Sequence, residues 1–171
     1  MAETSALGVR EEQIEACLLC QPEEADRALS RVEVWADGLW RLTTSLATEV
    51  AGFSYLEPRR HIPHLTDLDG EEAMTLGPTL ATVGMAMKRA TDSAVIYIYV
   101  IGEGIAHLHF HLAPHREGDA LNAQMIKGEV AEETLPSGAV RSVSRSFPPI
   151  PEAEAHQAAV KIRRELSTRA G

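Results

Sequence analysis

Cysteine is scarce in this chain: two among 171 residues, Cys17 and Cys20, in the run Cys17-Leu18-Leu19-Cys20. A disulfide framework is excluded, and a close pair in a reducing setting points to metal or redox chemistry. Alone, such a pair is half of a zinc site, and two buried thiols on a helix turn are an equal alternative. No apolar run approaches the roughly 18 residues of a membrane-spanning helix. The stretch from Met1 to Arg10 has neither a basic start nor an apolar segment, so no secretory signal is visible and a cytoplasmic location is the default. Basic residues are in deficit, 16 Lys and Arg against 25 Asp and Glu, for a formal net charge of −9. That balance argues against a long nucleic-acid partner, whose backbone wants a basic face. It leaves room for a nucleotide in a pocket, where a few local donors suffice.

What is present starts with a core: 44% of residues are hydrophobic and 24% charged, as expected of one compact domain. The most informative segment is Ala106-His107-Leu108-His109-Phe110-His111-Leu112-Ala113-Pro114. Side chains alternate across a strand, so His107, His109 and His111 share one face while Leu108, Phe110 and Leu112 fill the other. Three imidazoles on an apolar strand are costly to bury without a phosphate, a metal or hydrogen-bond acceptors as partners. A lone strand histidine is usually structural, but three at strict alternation mark a site. A three-histidine metal centre is the rival reading, since neutral imidazoles suit zinc.

The rest of the chain reads as an α+β domain with a mainly antiparallel sheet and one main helix. Residues 1–11 are polar and expected to be flexible, and a short helix is expected from Glu11 to Cys20, ended by Pro22. Val32-Glu33-Val34-Trp35 and Leu39 to Thr44 flank Asp37-Gly38, a hairpin signal. Gly52 to Glu57 alternates as a strand closed by Pro58, and a loop holds His61 and His64. Asp69 is placed to cap a helix from Gly70 to Ala90, with Leu76, Leu80, Val83 and Met87 inward and Pro78 a possible kink. Strands follow at Val95 to Ile101 and Ala106 to Leu112, joined by a turn at Gly102 to Gly104. Leu121 to Lys127 fits a short strand or helix, Gly128 to Arg145 is polar and mixed, and Glu152 to Arg169 is a terminal helix. The organisation expected is a domain over 12–119 and an extension over 120–171 that carries this helix.

These pieces resemble the histidine triad superfamily, and in particular its zinc-bearing branch. The resemblance rests on His107, His109 and His111 with Pro114, on Gly52-Phe53-Ser54-Tyr55-Leu56-Glu57-Pro58-Arg59-Arg60-His61, and on Asp67-Leu68 before the main helix. It implies nucleotide chemistry at phosphorus: His109 attacks the α-phosphorus to give a nucleotidyl-histidine, and His111 hydrogen-bonds the phosphate. Substrate contacts fall to His107 and His111, and to His115 unless that residue is an exposed loop histidine. The metal-bearing branches, among them the galactose-1-phosphate uridylyltransferases, use a CxxC pair, a loop histidine and the first histidine of the motif. Those positions are Cys17, Cys20, His61 and His107, which implies a closed, structural zinc site. His64 is an alternative to His61. Edge-to-edge pairing in the family implies a homodimer, unless the terminal helix covers the free edge.

Two positions depart from the family pattern. Many hydrolase members carry Gly-Gln-Ser/Thr before the triad, whereas Gly102-Glu103-Gly104 stands here, and the frequent Pro-Arg after it is Pro114-His115. An acid replaces polar phosphate contacts, and a titratable charge replaces a fixed one. The leading expectation is a nucleotide hydrolase or nucleotidyltransferase. The alternatives are a zinc-stabilised nucleotide-binding or scaffold protein without turnover, and a metal-dependent hydrolase with the three histidines as ligands.

Overall fold

The structure is a computed structural model of the chain and describes residues 16–101, 104–117, 119 and 128–168. A five-stranded antiparallel sheet forms its centre, in the order β1-β2-β3-β5-β4. The strands are β1 (Arg31–Ala36), β2 (Trp40–Ser45), β3 (Ser54–Pro58), β4 (Val95–Tyr99) and β5 (Phe110–His115). Asp37-Gly38 joins β1 to β2 as expected, and the Asp37 carboxylate accepts from the Leu39 and Trp40 amides at 2.7 Å each. Among the described residues, α1 (Pro22–Ala28), α2 (Gly70–Thr91) and α3 (Glu152–Ser167) accompany the sheet.

Alternation sorts the sheet into two faces. Trp40, Leu42, Leu56, Phe110 and Leu112 form one core with Val83 and Met87 of α2 and Ile162 and Leu166 of α3. The inward residues expected of the main helix are buried (Val83, Met87) or packed against that core (Leu76, Leu80). The terminal helix thus shares the core of the sheet. It lies against α2 and β1, leaving the outer edge of the apolar strand β4 without a strand partner among the described residues.

Glu71 and Glu72 in the first turn of α2, and Lys88 and Arg89 in its last, complement the helix dipole. Asp69 stands at the N-cap but makes no side-chain cap bond, because its carboxylate pairs with Arg60 instead. Pro78 leaves the helix unbroken; the carbonyl it cannot bond belongs to Met74, which is 72% exposed and open to water. Gly52 takes φ +80°, and a Cβ there would stand 2.7 Å from Thr91 Cγ2 at the end of α2.

Several expected elements shift. Instead of a helix ending at Cys20, Cys17 is extended, Leu18–Cys20 form a 3-10 turn, and Pro22 begins α1. Proline's fixed φ suits a first helical turn, where its missing N–H costs nothing. Residues 12–15 of that expected helix, the flexible start at 1–11, the strand or helix at 121–127 and the turn residues 102 and 103 lie outside the described residues. The histidine strand begins at Phe110 rather than Ala106 and runs through Pro114 to His115. Pro114 fits because the β3 ladder ends at Leu112, where a donor is no longer needed. The polar stretch after 128 is a hairpin of β6 (Gly128–Thr134) and β7 (Val140–Ser146), forming a separate two-stranded sheet. Its turn contains Pro136-Ser137-Gly138 with Gly138 at φ +82°, the signal that composition alone concealed.

Candidate functional site

The histidines lie where the run-in to β5 meets the polar face of the sheet. His107 is 1% exposed and His109 8%, and the intervening Leu108 and Phe110 point into the core. The His107 ring bridges two elements. Its Nε2 lies 2.9 Å from the Pro58 carbonyl, which can only accept, so Nε2 donates and Nδ1 keeps its lone pair. That Nδ1 faces two sulfurs, Cys17 Sγ at 3.5 Å and Cys20 Sγ at 3.5 Å, while His61 Nδ1 stands 3.3 Å from Cys20 Sγ. The four ligand atoms lie within 4.8 Å of one another. A tetrahedral centre with zinc-ligand distances of about 2.3 Å to sulfur and 2.05 Å to nitrogen separates S from N by about 3.6 Å. The cluster therefore has the donors and the spacing for one such ion. His64 is exposed and stands outside the cluster.

The charge states of the cluster follow from its burial. Desolvation, reinforced by a hydrogen bond that the Cys20 thiol donates to Cys17, pushes the Cys20 thiol up to about 12. Burial lowers the pKa of His61, and that of His107 against the opposing bond to Pro58. Neutral imidazoles are thus ready to ligate, and the thiols would release protons on binding a cation.

The second histidine is fixed by the first. His109 Nδ1 lies 2.7 Å from the His107 carbonyl and must donate to it, which leaves the lone pair on Nε2. Burial lowers the His109 pKa, the carbonyl bond opposes this, and the charge of Arg31 adds to the lowering. His111 sits in an aromatic cage. Tyr99 stacks on it with centroids 4.9 Å apart and planes 21° apart, and Tyr55 meets it edge-on at 5.0 Å. The His109 and His111 rings are 5.0 Å apart. His115 lies four residues further on, where its Nδ1 meets Asp119 at 2.9 Å and its ring adjoins Tyr97. The structure thus groups His109 with His111 and His107 with the cysteines, and places His115 apart with Asp119.

A cavity of about 220 Å³ opens beside the triad between His107 to His109, Val100, Ile101 and the loop Pro63 to Thr66. Another of about 560 Å³ borders Cys17 and His61. A third, about 390 Å³ between α3 and the loop after β2, includes no triad residue in its walls.

Sequence reasoning missed a charged layer on the same face. Arg41, 5% exposed, pairs with Asp26, Glu33 and Glu57 and so ties α1, β1 and β3 to β2. Burial pushes the Glu57 carboxyl up to about 7, against the opposing pull of Arg31 and Arg41. Arg31 lies with its Cζ 3.6 Å from the Tyr55 ring centroid. Alternation could have put Tyr55 and Glu57 on one face, but only the register of β2, β3 and β5 brings them to the histidines.

Comparison with known proteins agrees with this architecture. The family model described as HIT domain matches residues 33–118. A zinc-bound histidine triad family protein from Mycobacterium smegmatis superposes with a TM-score of 0.64 at 16% identity, covering 92% of this chain and 97% of that one. A hypothetical histidine triad nucleotide-binding protein from Sulfolobus tokodaii gives 0.62 at 19% identity, over 89% and 93%. A histidine triad protein from Marinobacter aquaeolei gives 0.61 at 16%, over 83% and 94%. At these identities the likeness is one of fold. No curated protein sequence matches the chain significantly. With the family model spanning half of the chain over the sheet and the histidine motif, the chain belongs to the HIT domain family, the histidine triad proteins.

Proposed function

We propose that the chain hydrolyses or transfers a nucleotidyl group through a covalent intermediate on His109. The observation that carries this reading is the bond from His109 Nδ1–H to the His107 carbonyl, which directs the Nε2 lone pair outward as a nucleophile. Nε2 forms a bond to the α-phosphorus while the bond from phosphorus to the leaving group breaks, the leaving group taking up a proton. Water or another acceptor then attacks phosphorus, loses its proton, and the N–P bond breaks. His111, held by Tyr55 and Tyr99, hydrogen-bonds the phosphate. The cavity beside Val100 and Ile101 suits the nucleoside, and His115 is the outermost substrate contact.

Cys17, Cys20, His61 and His107 would hold a structural zinc, cross-linking the N-terminal segment to the catalytic segment. Through His107, whose carbonyl orients His109, that cross-link supports the nucleophile without entering the reaction. Free thiols of this kind suit a cytoplasmic setting. The exposed apolar side chains of β4 and its continuation, Val95, Tyr97, Ile98, Val100 and Ile101, on an unpaired edge, support a homodimer formed there. No described helix is long and apolar enough to cross a membrane.

Intact-protein mass spectrometry with a panel of nucleotides, phosphoramidates and dinucleoside polyphosphates tests the reading. A nucleotide-sized adduct that survives denaturation, is acid-labile, and is absent from His109→Ala is expected. Absence of both adduct and product, with zinc retained, would replace it with a binding protein that does not turn over.

A further inference from the structure

His64, the alternative to His61 as a ligand, takes no part in the cysteine-histidine cluster. Its side chain is exposed and has no hydrogen-bond or ionic partner among the described residues. The loop that carries it is nevertheless fixed on either side of it. Ile62 is 1% exposed in the core, and its carbonyl accepts from Leu108 N at 2.6 Å, between the first two histidines of the motif. The His64 carbonyl accepts from Asp67 N at 3.0 Å, which closes the 3-10 turn Leu65–Asp67. Pro63 lies between these anchors, and its ring fixes φ there. A segment held this way presents its side chains in a set direction.

One loop thus serves two places. His61 turns toward His107, with ring centroids 5.4 Å apart and its Nδ1 3.3 Å from Cys20 Sγ. His64 lines the cavity of about 220 Å³ whose walls include His109. It also lines the cavity of about 560 Å³ beside Cys17, whose described walls hold no histidine of the motif, so it stands where the two cavities meet. Pro63, Leu65, Val100 and Ile101 give the smaller cavity apolar walls, which suit the faces of a planar ring. Outside the histidine motif, the polar side chains described in those walls are His64 and Thr66. A base between the walls must hydrogen-bond its edge, because covered donors and acceptors left unmade are costly. A neutral imidazole carries one donor and one acceptor nitrogen, and so can meet either kind of edge group.

We propose that His64 is the base-reading residue of the triad site: its imidazole hydrogen-bonds the edge of the nucleobase whose sugar and phosphate lead to His109. The proposal rests on the nucleotide reading above and adds the residue that sets which base is held. Recognition through a hydrogen bond discriminates more strongly than apolar walls do. A base with the wrong edge covers the imidazole and leaves both groups unpaired.

Calorimetric titration of the zinc-loaded protein with the four nucleoside 5′-monophosphates tests it, and rates of adduct formation supply the same ratios where the heats are too small. Wild type is expected to prefer one base. His64→Phe keeps a ring without donor or acceptor, and should shrink the ratio between the best and worst binder about 3- to 10-fold. His64→Gln, which retains an amide donor and acceptor, should fall in between. Zinc content and melting temperature should stay at wild type in both, because His64 is exposed and outside the cluster. Loss of zinc would make His64 a ligand and overturn the proposal. Equal weakening of all four nucleotides by His64→Phe, or an unchanged ratio, overturns it too, as does a wild type that holds the four alike. The nucleotide reading survives each of these results. A wild type that binds none and forms no adduct overturns that reading and this proposal with it.

Discussion

Along β2, β3 and β5 every second residue enters the core under α2 and α3: Trp40, Leu42, Leu56, Phe110 and Leu112. The residues between them, Arg41, Tyr55, Glu57 and His111, turn to the other face, with Arg31 and His109 beside them. Arg41, Glu57 and His109 on the second face are buried as the first face is, yet the two are held by different forces. The first gains from removing apolar area from water and tolerates a change of shape. The second is a set of charges and imidazoles whose desolvation must be offset bond by bond. The core lies on one side of the strands and the proposed chemistry on the other, so each can be perturbed separately.

The largest effect expected of a single change falls on the polar face. His109→Ala should lower nucleotidyl turnover at least about a thousandfold, measured as product release and as loss of the covalent adduct, while the melting temperature stays near wild type. The mirror experiment is Leu112→Ala, two positions beyond Phe110 on the core face. Deleting this fully buried side chain should cost about 2–5 kcal/mol in denaturant unfolding. A loss of turnover in the same variant, with the fold intact, would show that the two faces are coupled.

Between these extremes lies the cysteine-histidine cluster. Cys17→Ser should lose zinc by elemental analysis and lower the melting temperature by several degrees, on the scale of about 1 kcal/mol of stability per 4–8 °C in a small domain. Unchanged metal content would sink the ligand assignment.

Glu57 gives the polar face a pH signature. Its folded-state pKa of about 7 lies above the ordinary 4.5, so the fold favours the protonated acid. Its contribution is present in full below pH 4.5 and is lost as pH rises through 7. Asp26, Arg31, Arg41 and Cys20 are the charged or titratable groups it acts with. Glu57→Gln should flatten the fall of the urea midpoint between pH 4.5 and 7, and an unaltered slope would assign the fall to other groups. The smallest effect should come from outside the comparison. Arg141→Ala breaks an exposed pair with Glu133 on the β6–β7 hairpin and should change stability by about 0–1 kcal/mol.

Much of the domain was legible because alternation and capping are local. The hairpin around Asp37-Gly38, the limits of α2 and the inward set Leu108, Phe110, Leu112 need only neighbours in sequence. The gathering of Cys17, Cys20, His61 and His107 was legible only through resemblance to a family, since 90 residues separate the first from the last. Arg31 and Tyr55 escaped notice for a related reason. Nothing local distinguishes an arginine at a strand start, and its place beside Tyr55 and Glu57 depends on β1, β2 and β3 lying side by side. The hairpin after Gly128 was hidden by its polarity, because exposed strands lack the apolar alternation that reveals half-buried ones.

The contact at Gly52 bears on how the two faces keep their separation. This glycine sits where the loop into β3 touches the last turn of α2, and the space beside its Cα ends at a Thr91 methyl. A single added carbon would have to displace the Thr91 side chain or the helix end that carries it, and φ +80° disfavours any side chain here. The spacing between the helical layer and the sheet is thus gauged at this corner by a hydrogen atom, the smallest shim the chain can offer.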